Sequence, residues 1–134
     1  MDTNLILLVD DDPDDMMLLK EAIVELDCRF KFQEAADGRH GINYLRSIPT
    51  PEHFPCLVVL DINMPVLDGR EMLAILKSDP SLKEIPVVVF STSSNPSDII
   101  YCKQFNVELV TKPFDVSQLM QAAHKIIACC ESKN

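Results

Sequence analysis

The sequence lacks any basic run that would offset its acidity. Twelve Lys and Arg face twenty-one Asp and Glu, for a formal net charge of −9. Repulsion from nucleic-acid phosphate is the expectation. A DNA-binding output needs a basic helix, and none is present, so no nucleic-acid partner is expected. Also missing is any apolar run near the ~20 residues that a membrane span requires, and no signal-peptide pattern precedes Leu5. No membrane partner is expected either. The five cysteines, Cys28, Cys56, Cys102, Cys129 and Cys130, are odd in number and contain no CxxC pair. Free thiols in a reducing cytoplasm are therefore expected. Cys28, Cys56 and Cys102 read as small core hydrophobes, and no redox role is expected of Cys129-Cys130. His40, His53 and His124 lack metal-ligand spacing and read as surface or packing residues.

What is present suits one domain, 1–134, with a core from about 5 to 128. The chain is 134 residues long, 47% apolar and 25% charged, and two folding units would leave neither a proper core. Leu5–Val9 is a continuous apolar run of the length of a strand buried on both faces. Asp12-Pro13 then reads as a helix N-cap and first helical residue, and Met17, Leu18, Ala22, Ile23 and Leu26 carry the helix to about Asp27. Phe30–Ala35 alternates like an edge or half-buried strand. Asp37-Gly38 is a turn signal, followed by a short helix through Ile42 and Leu45 and a proline-rich loop from Ser47 to Pro55.

Cys56–Leu60 and Pro86–Phe90 are two further apolar strands, ending on Asp61 and Ser91. Between them lie Asp68-Gly69, read as turn chemistry, and a helix through Met72, Leu73, Ile75 and Leu76 that Asp79-Pro80 ends. Asn95-Pro96 opens a helix through Phe105, Val107–Thr111 forms a short strand, and Asp115 caps a final helix. Five alternations of strand and helix predict an α/β fold, a parallel sheet covered on both faces.

Asp10, Asp11, Asp61, Ser91 and Lys112 all follow strands. In a parallel sheet those ends share one edge, where ligands of open α/β sheets bind. Three carboxylates gathered there repel one another unless protonated or neutralised. A hard divalent cation such as Mg²⁺ resolves that conflict. A lysine and a hydroxyl beside it suit phosphoryl oxygens, and a carboxylate can take up a phosphoryl group as an acyl phosphate.

These residues carry a resemblance. Leu7–Pro13, Leu60–Pro65, Asp68-Gly69, Phe90–Thr92 and Thr111–Phe114 are, in this order, similar to the motifs of response-regulator receiver domains of two-component signalling. Asp68–Glu71 with Phe90–Asn95 further resembles small regulators that partner phytochrome-type histidine kinases. The resemblance implies a flavodoxin-like (βα)5 fold, doubly wound, with strand order 2-1-3-4-5. It implies that Asp61 accepts a phosphoryl group from the phosphohistidine of a sensor histidine kinase. Asp10 and Asp11 would hold Mg²⁺ with Asp61 and the Asn63 backbone carbonyl. Ser91 and Lys112 would contact the phosphoryl group, while Asn63, Thr92 and Ser93 would tune water access. Lys112-Pro113 would be a cis peptide.

The sequence departs from the family at Leu109, where many members carry an aromatic switch. The glycine usual before the fifth strand is also missing, and Asn106 is expected to supply its left-handed conformation. A stand-alone phospho-switch is expected, with output to a second copy or a downstream protein through the fourth helix, fifth strand and fifth helix. The alternatives are a phosphorelay intermediate, a phosphorylation-independent interaction module, and a phosphatase of the Asp-x-Asp type, for which Asp10-Asp11-Asp12 has the formal spacing. Enzymatic turnover is not expected beyond the domain's own phosphorylation and dephosphorylation.

Overall fold

Leu5–Val9 forms strand β1, which is buried on both faces and pairs with a neighbouring strand at each edge. The computed structural model describes residues 4–64, 66–92 and 95–131. Within them β1 is followed by α1 (Pro13–Leu26), β2 (Lys31–Ala35), α2 (Gly38–Ser47), β3 (Leu57–Leu60), α3 (Gly69–Ser78), β4 (Val87–Ser91), α4 (Pro96–Gln104), β5 (Glu108–Thr111) and α5 (Val116–Glu131). One short 3₁₀ turn, Pro51–His53, interrupts the loop before β3. All strand pairs are parallel, in the order β2-β1-β3-β4-β5. This is the flavodoxin-like order that the resemblance implies.

The period-two alternation of the strands divides the core into two layers. Leu7, Val9, Val58, Leu60 and Val89 point to one face, where Ile42 and Leu45 of α2, Met72, Leu73 and Leu76 of α3, and Cys102 of α4 cover them. Ile6, Leu8, Val59, Val88 and Phe90 point to the other face, under Leu19 and Ile23 of α1 and Ala123 and Ile126 of α5. Each large side chain fully buried here contributes about 1.5–3 kcal/mol.

Helix starts follow the sequence signals. The Asp12 carboxylate accepts the N–H groups of Asp14 and Asp15, with Pro13 in the first turn. Asn95 and Asp115 cap α4 and α5 by accepting from Asp98 and Gln118. Asn106 is left-handed, at φ 59°, in keeping with its expected role ahead of β5.

Asp37-Gly38 and Asp68-Gly69 are helix starts rather than free-standing turns. Asp37 accepts the N–H of His40, and Asp68 forms a reciprocal capping box with Glu71. Neither glycine has a positive φ. What Gly69 supplies is room, since a Cβ there would lie 2.2 Å from the Asp61 carbonyl oxygen and 2.6 Å from the Ile62 Cα.

The cysteine expectation needs correction. Cys56, just before β3, and Cys130, in the last turn of α5, form a disulfide with their Cα atoms 5.2 Å apart. Both are buried. Their proximity is tertiary, across 74 positions of sequence, so spacing could not reveal it. Cys28, Cys102 and Cys129 are free. Cys28 is exposed rather than part of the core, while Cys102 is buried as expected. Among the described residues no helix is long and apolar enough to cross a membrane.

The closed loop is long, so constraining it should matter. Reduction of the disulfide, or Cys130→Ser, is expected to lower unfolding stability by about 2–4 kcal/mol. Urea titration with and without a thiol reductant checks this.

Candidate functional site

The three strand-end carboxylates converge. Asp10 follows β1 and Asp61 follows β3, and these strands pair in register with Val9 opposite Leu60. Asp61 donates its backbone N–H to the Val9 carbonyl and Asp10 donates its own to Ala35, which extends the ladder through both acids. Asp10, Asp11 and Asp61 each bring a carboxylate oxygen within 4.8 Å of the others. Asp10 and Asp61 are buried, whereas Asp11 faces solvent. This donor set, all oxygen, anionic and open on one side, suits a hard divalent cation with water in its remaining positions.

Gly69 sets the backbone at Asp61. Its N–H donates to the Ile62 carbonyl at 2.9 Å, and the start of α3 presses directly on the Asp61–Ile62 peptide. The Asn63 N–H donates to Asp61 Oδ1 at 3.4 Å. The other carboxylate oxygen, Oδ2, faces Lys112 Nζ at 3.6 Å.

Lys112 is carried into the site by β5, its N–H donating to the Ser91 carbonyl at 2.8 Å. The ammonium is buried and donates to Asp10 at 2.7 Å and to Asp15 at 2.9 Å. Burial alone would lower its pKa, but the surrounding carboxylates outweigh that and hold it above the ordinary lysine value. Asp10 moves the other way from a typical ion-paired acid. Burial pushes its carboxyl up to about 6, against the lowering effect of Lys112 and of the Asp12 N–H, and the neighbouring Asp61 adds to the rise. One ammonium does not neutralise this many carboxylates.

Ser91 is fully buried at the end of β4. Thr92 and Asn63 are exposed at their strand ends, while Ser93 lies outside the described residues, as do Pro65 and Ser94 of the sequence motifs. Asp12 points its carboxylate at the helix it caps, which removes the second acid of the Asp-x-Asp spacing from the cluster. Asp15 is a site residue that sequence reading left unassigned. Its place in the acidic run that opens α1 is all the sequence shows of it, because its partner Lys112 lies 97 positions away.

The expected cis bond at Lys112-Pro113 is corrected, because no cis peptide occurs among the described residues. Proline leaves the two isomers only roughly 0.5–1 kcal/mol apart, so the motif alone does not fix the isomer. Phe114, next in the chain, is 93% exposed.

A doubly wound parallel sheet carrying three acids and a buried lysine at its carboxyl edge defines the receiver class of signalling proteins. The chain belongs to the response regulator receiver domain family, whose sequence pattern matches residues 6–124. It is 34% identical to the response regulator Rcp1 of Synechocystis sp. over 125 residues, covering 91% of this chain and 85% of Rcp1. Its fold is similar to the crystal structure of the phosphorylated cyanobacterial phytochrome response regulator RcpA, with a TM-score of 0.85, 38% identity, and 98% and 96% of the two chains covered. It is also similar to the Mn²⁺-bound form of Rcp1, with a TM-score of 0.80, 34% identity, and 92% and 91% covered.

Two measurements follow from this geometry. Gly69→Ala forces the Asp61–Ile62 peptide to move, and overpacking of this kind costs about 1–3 kcal/mol. Thermal unfolding should register that loss. A raised folded-state pKa at Asp10 means that its contribution to stability is complete below about pH 4 and is lost as pH rises through about 6. In a chelator, wild-type stability should fall over that window relative to Asp10→Asn. A divalent cation should lessen the fall, because it favours the ionised carboxylate.

Proposed function

We propose that this chain is a receiver whose Asp61 takes a phosphoryl group from the phosphohistidine of a sensor histidine kinase. The observation that carries the reading is the grouping of the Asp10, Asp11 and Asp61 carboxylates within 4.8 Å, beside a buried lysine 3.6 Å from Asp61. Mg²⁺ would be held by Asp10, Asp11, Asp61 and the Asn63 backbone carbonyl. Bound there, it would offset the carboxylate charge and draw phosphoryl oxygens toward Asp61. The Mn²⁺-bound state of Rcp1 supports a divalent cation at this place, and the phosphorylated state of RcpA supports the acceptor role.

The chain's own residues do the positioning. The Asn63 N–H and Lys112 address opposite oxygens of Asp61 and aim the carboxylate. Lys112 follows the charge that phosphorylation adds, and Ser91 supplies a hydroxyl donor for the new oxygens. Asn63, Thr92 and Ser93 tune the approach of hydrolytic water. The domain performs its own phosphorylation and dephosphorylation and turns over no separate substrate.

Output then runs through the face built by α4, β5 and α5, toward a second copy or a downstream protein. Leu109 stands on β5 where many receivers carry an aromatic, and it packs with Tyr101 and Phe105 against the core. Switching is therefore assigned to movement of the β4–α4 connection and α4 instead of an aromatic swing. The match to 85% of the length of Rcp1 supports a single receiver domain, 1–134, that acts on its own. The likeness to RcpA, a phytochrome response regulator, supports a phytochrome-type kinase as donor.

Incubation with Mg²⁺ and acetyl phosphate should add the mass of one phosphoryl group, and Asp61→Asn should abolish the addition. A mass unchanged in the wild type, or a gain that survives Asp61→Asn, rejects the assignment.

A further inference from the structure

The acceptor site has two sides, each with one cation set among carboxylates. On the α1 side, Lys112 is engaged by Asp10 and Asp15. On the other side, a cleft of about 510 Å³ is lined by Asp11, Asn63, Asp68, Arg70, Asn95 and Asp98. Arg70 is its only cation among the described residues. The cleft meets the acid cluster at Asp11, whose carboxylate lies within 4.8 Å of that of Asp61, and a negatively charged phosphodonor entering it faces Asp11, Asp68 and Asp98. Like charges at such range oppose approach, so a cation at the mouth decides whether an anion enters.

Arg70 is built for that place. It lies in the first turn of α3, immediately after the glycine that presses on the Asp61–Ile62 peptide. Its guanidinium stacks over the Tyr101 ring at 4.3 Å from the centroid, and the Tyr101 hydroxyl donates to the Arg70 carbonyl at 2.8 Å. Nη1 stands 3.7 Å from Oδ1 of Asp98, a buried carboxylate on α4. That separation exceeds a direct hydrogen bond of about 2.7–3.2 Å, so Asp98 steers the guanidinium without consuming it. The side chain remains 41% exposed toward the cleft. A planar fork of N–H donors, braced by an aromatic and a weak counter-ion, matches tetrahedral phosphoryl oxygens better than a point charge does.

We propose that Arg70 is a specificity residue for phosphoryl entry, leaving Asp98 to bind the oxygens of the incoming donor as it is presented to Asp61. The proposal rests on the acceptor role of Asp61. With acetyl phosphate, the P–O bond to the acetyl group breaks as the P–O bond to an Asp61 carboxylate oxygen forms. Acetate leaves with the electron pair, and no proton is transferred. Because Asp98 belongs to the first turn of α4, losing Arg70 to the phosphoryl group also loosens the tie between α3 and α4.

The test follows the initial rate of Asp61 phosphorylation by mass spectrometry over a series of acetyl phosphate concentrations at fixed Mg²⁺. Unfolding midpoints of every variant are measured in parallel. Arg70→Gln is expected to raise the half-saturating donor concentration about tenfold, the lower end for losing a hydrogen bond to a charged group. The maximal rate should change less than about twofold, and Arg70→Lys should recover part of the loss. Asp98→Asn is expected to shift the half-saturating concentration downward, since it removes the competitor for the guanidinium. A merely structural clamp predicts that Arg70→Gln and Asp98→Asn behave alike. Equal donor dependence in wild type and Arg70→Gln, or an upward shift in both variants, overturns the proposal while Asp61 remains the acceptor. A wild type that gains no phosphoryl mass overturns the acceptor reading and Arg70 with it.

Discussion

One buried ammonium among four carboxylates governs this structure. Lys112 reaches Asp10, Asp15 and Asp61 at 2.7, 2.9 and 3.6 Å, and Asp11 stands within the same group of acids. An isolated buried charge would be costly, and here each buried charge is partly answered by another. The balance stays negative, and Asp10 holds a proton more tightly than an ordinary aspartate, chiefly because it is buried and to a lesser degree because Asp61 lies beside it. A site left short of positive charge is one that accepts a cation readily. The same shortage makes the positions of Lys112 and Arg70 decisive, since they are the cations at its two sides.

The fold exists to deliver these groups to one edge. Parallel pairing places the ends of β1, β3, β4 and β5 side by side, and the apolar alternation of the strands fixes which way each one faces. The two core layers hold the sheet rigid from both faces. Gly69 then lets α3 close down on the Asp61–Ile62 peptide, and the Asp68–Glu71 capping box fixes where that helix begins. Precision at Asp61 thus comes from backbone contacts rather than from its side chain alone.

Much of this was legible in the residues. Continuous apolar runs marked the buried strands, Asp12-Pro13 and Asn95-Pro96 marked helix starts, and acids at strand ends marked the edge where chemistry gathers. Local signals work because capping and alternation are local physics. Contacts made across the fold stayed hidden. The Cys56–Cys130 bond joins distant segments, and Asp15 enters the site only once the fold brings α1 to Lys112, 97 positions on. The isomer of Lys112-Pro113 is a choice between states of similar energy. The close approach behind Gly69 looked like turn chemistry, because sequence shows the missing side chain but not the carbonyl it makes room for.

The two edges of the sheet bear on how copies of this protein can meet. β2 borders solvent with Lys31 and Glu34, the latter paired with Lys20. β5 begins with Glu108, paired with Lys125 of α5. Charged residues along an open edge discourage another strand from adding to it. Growth of the sheet from one molecule into the next is thus disfavoured at both borders, so any contact between copies would fall to the helical faces, where it can be made and undone without rebuilding a ladder.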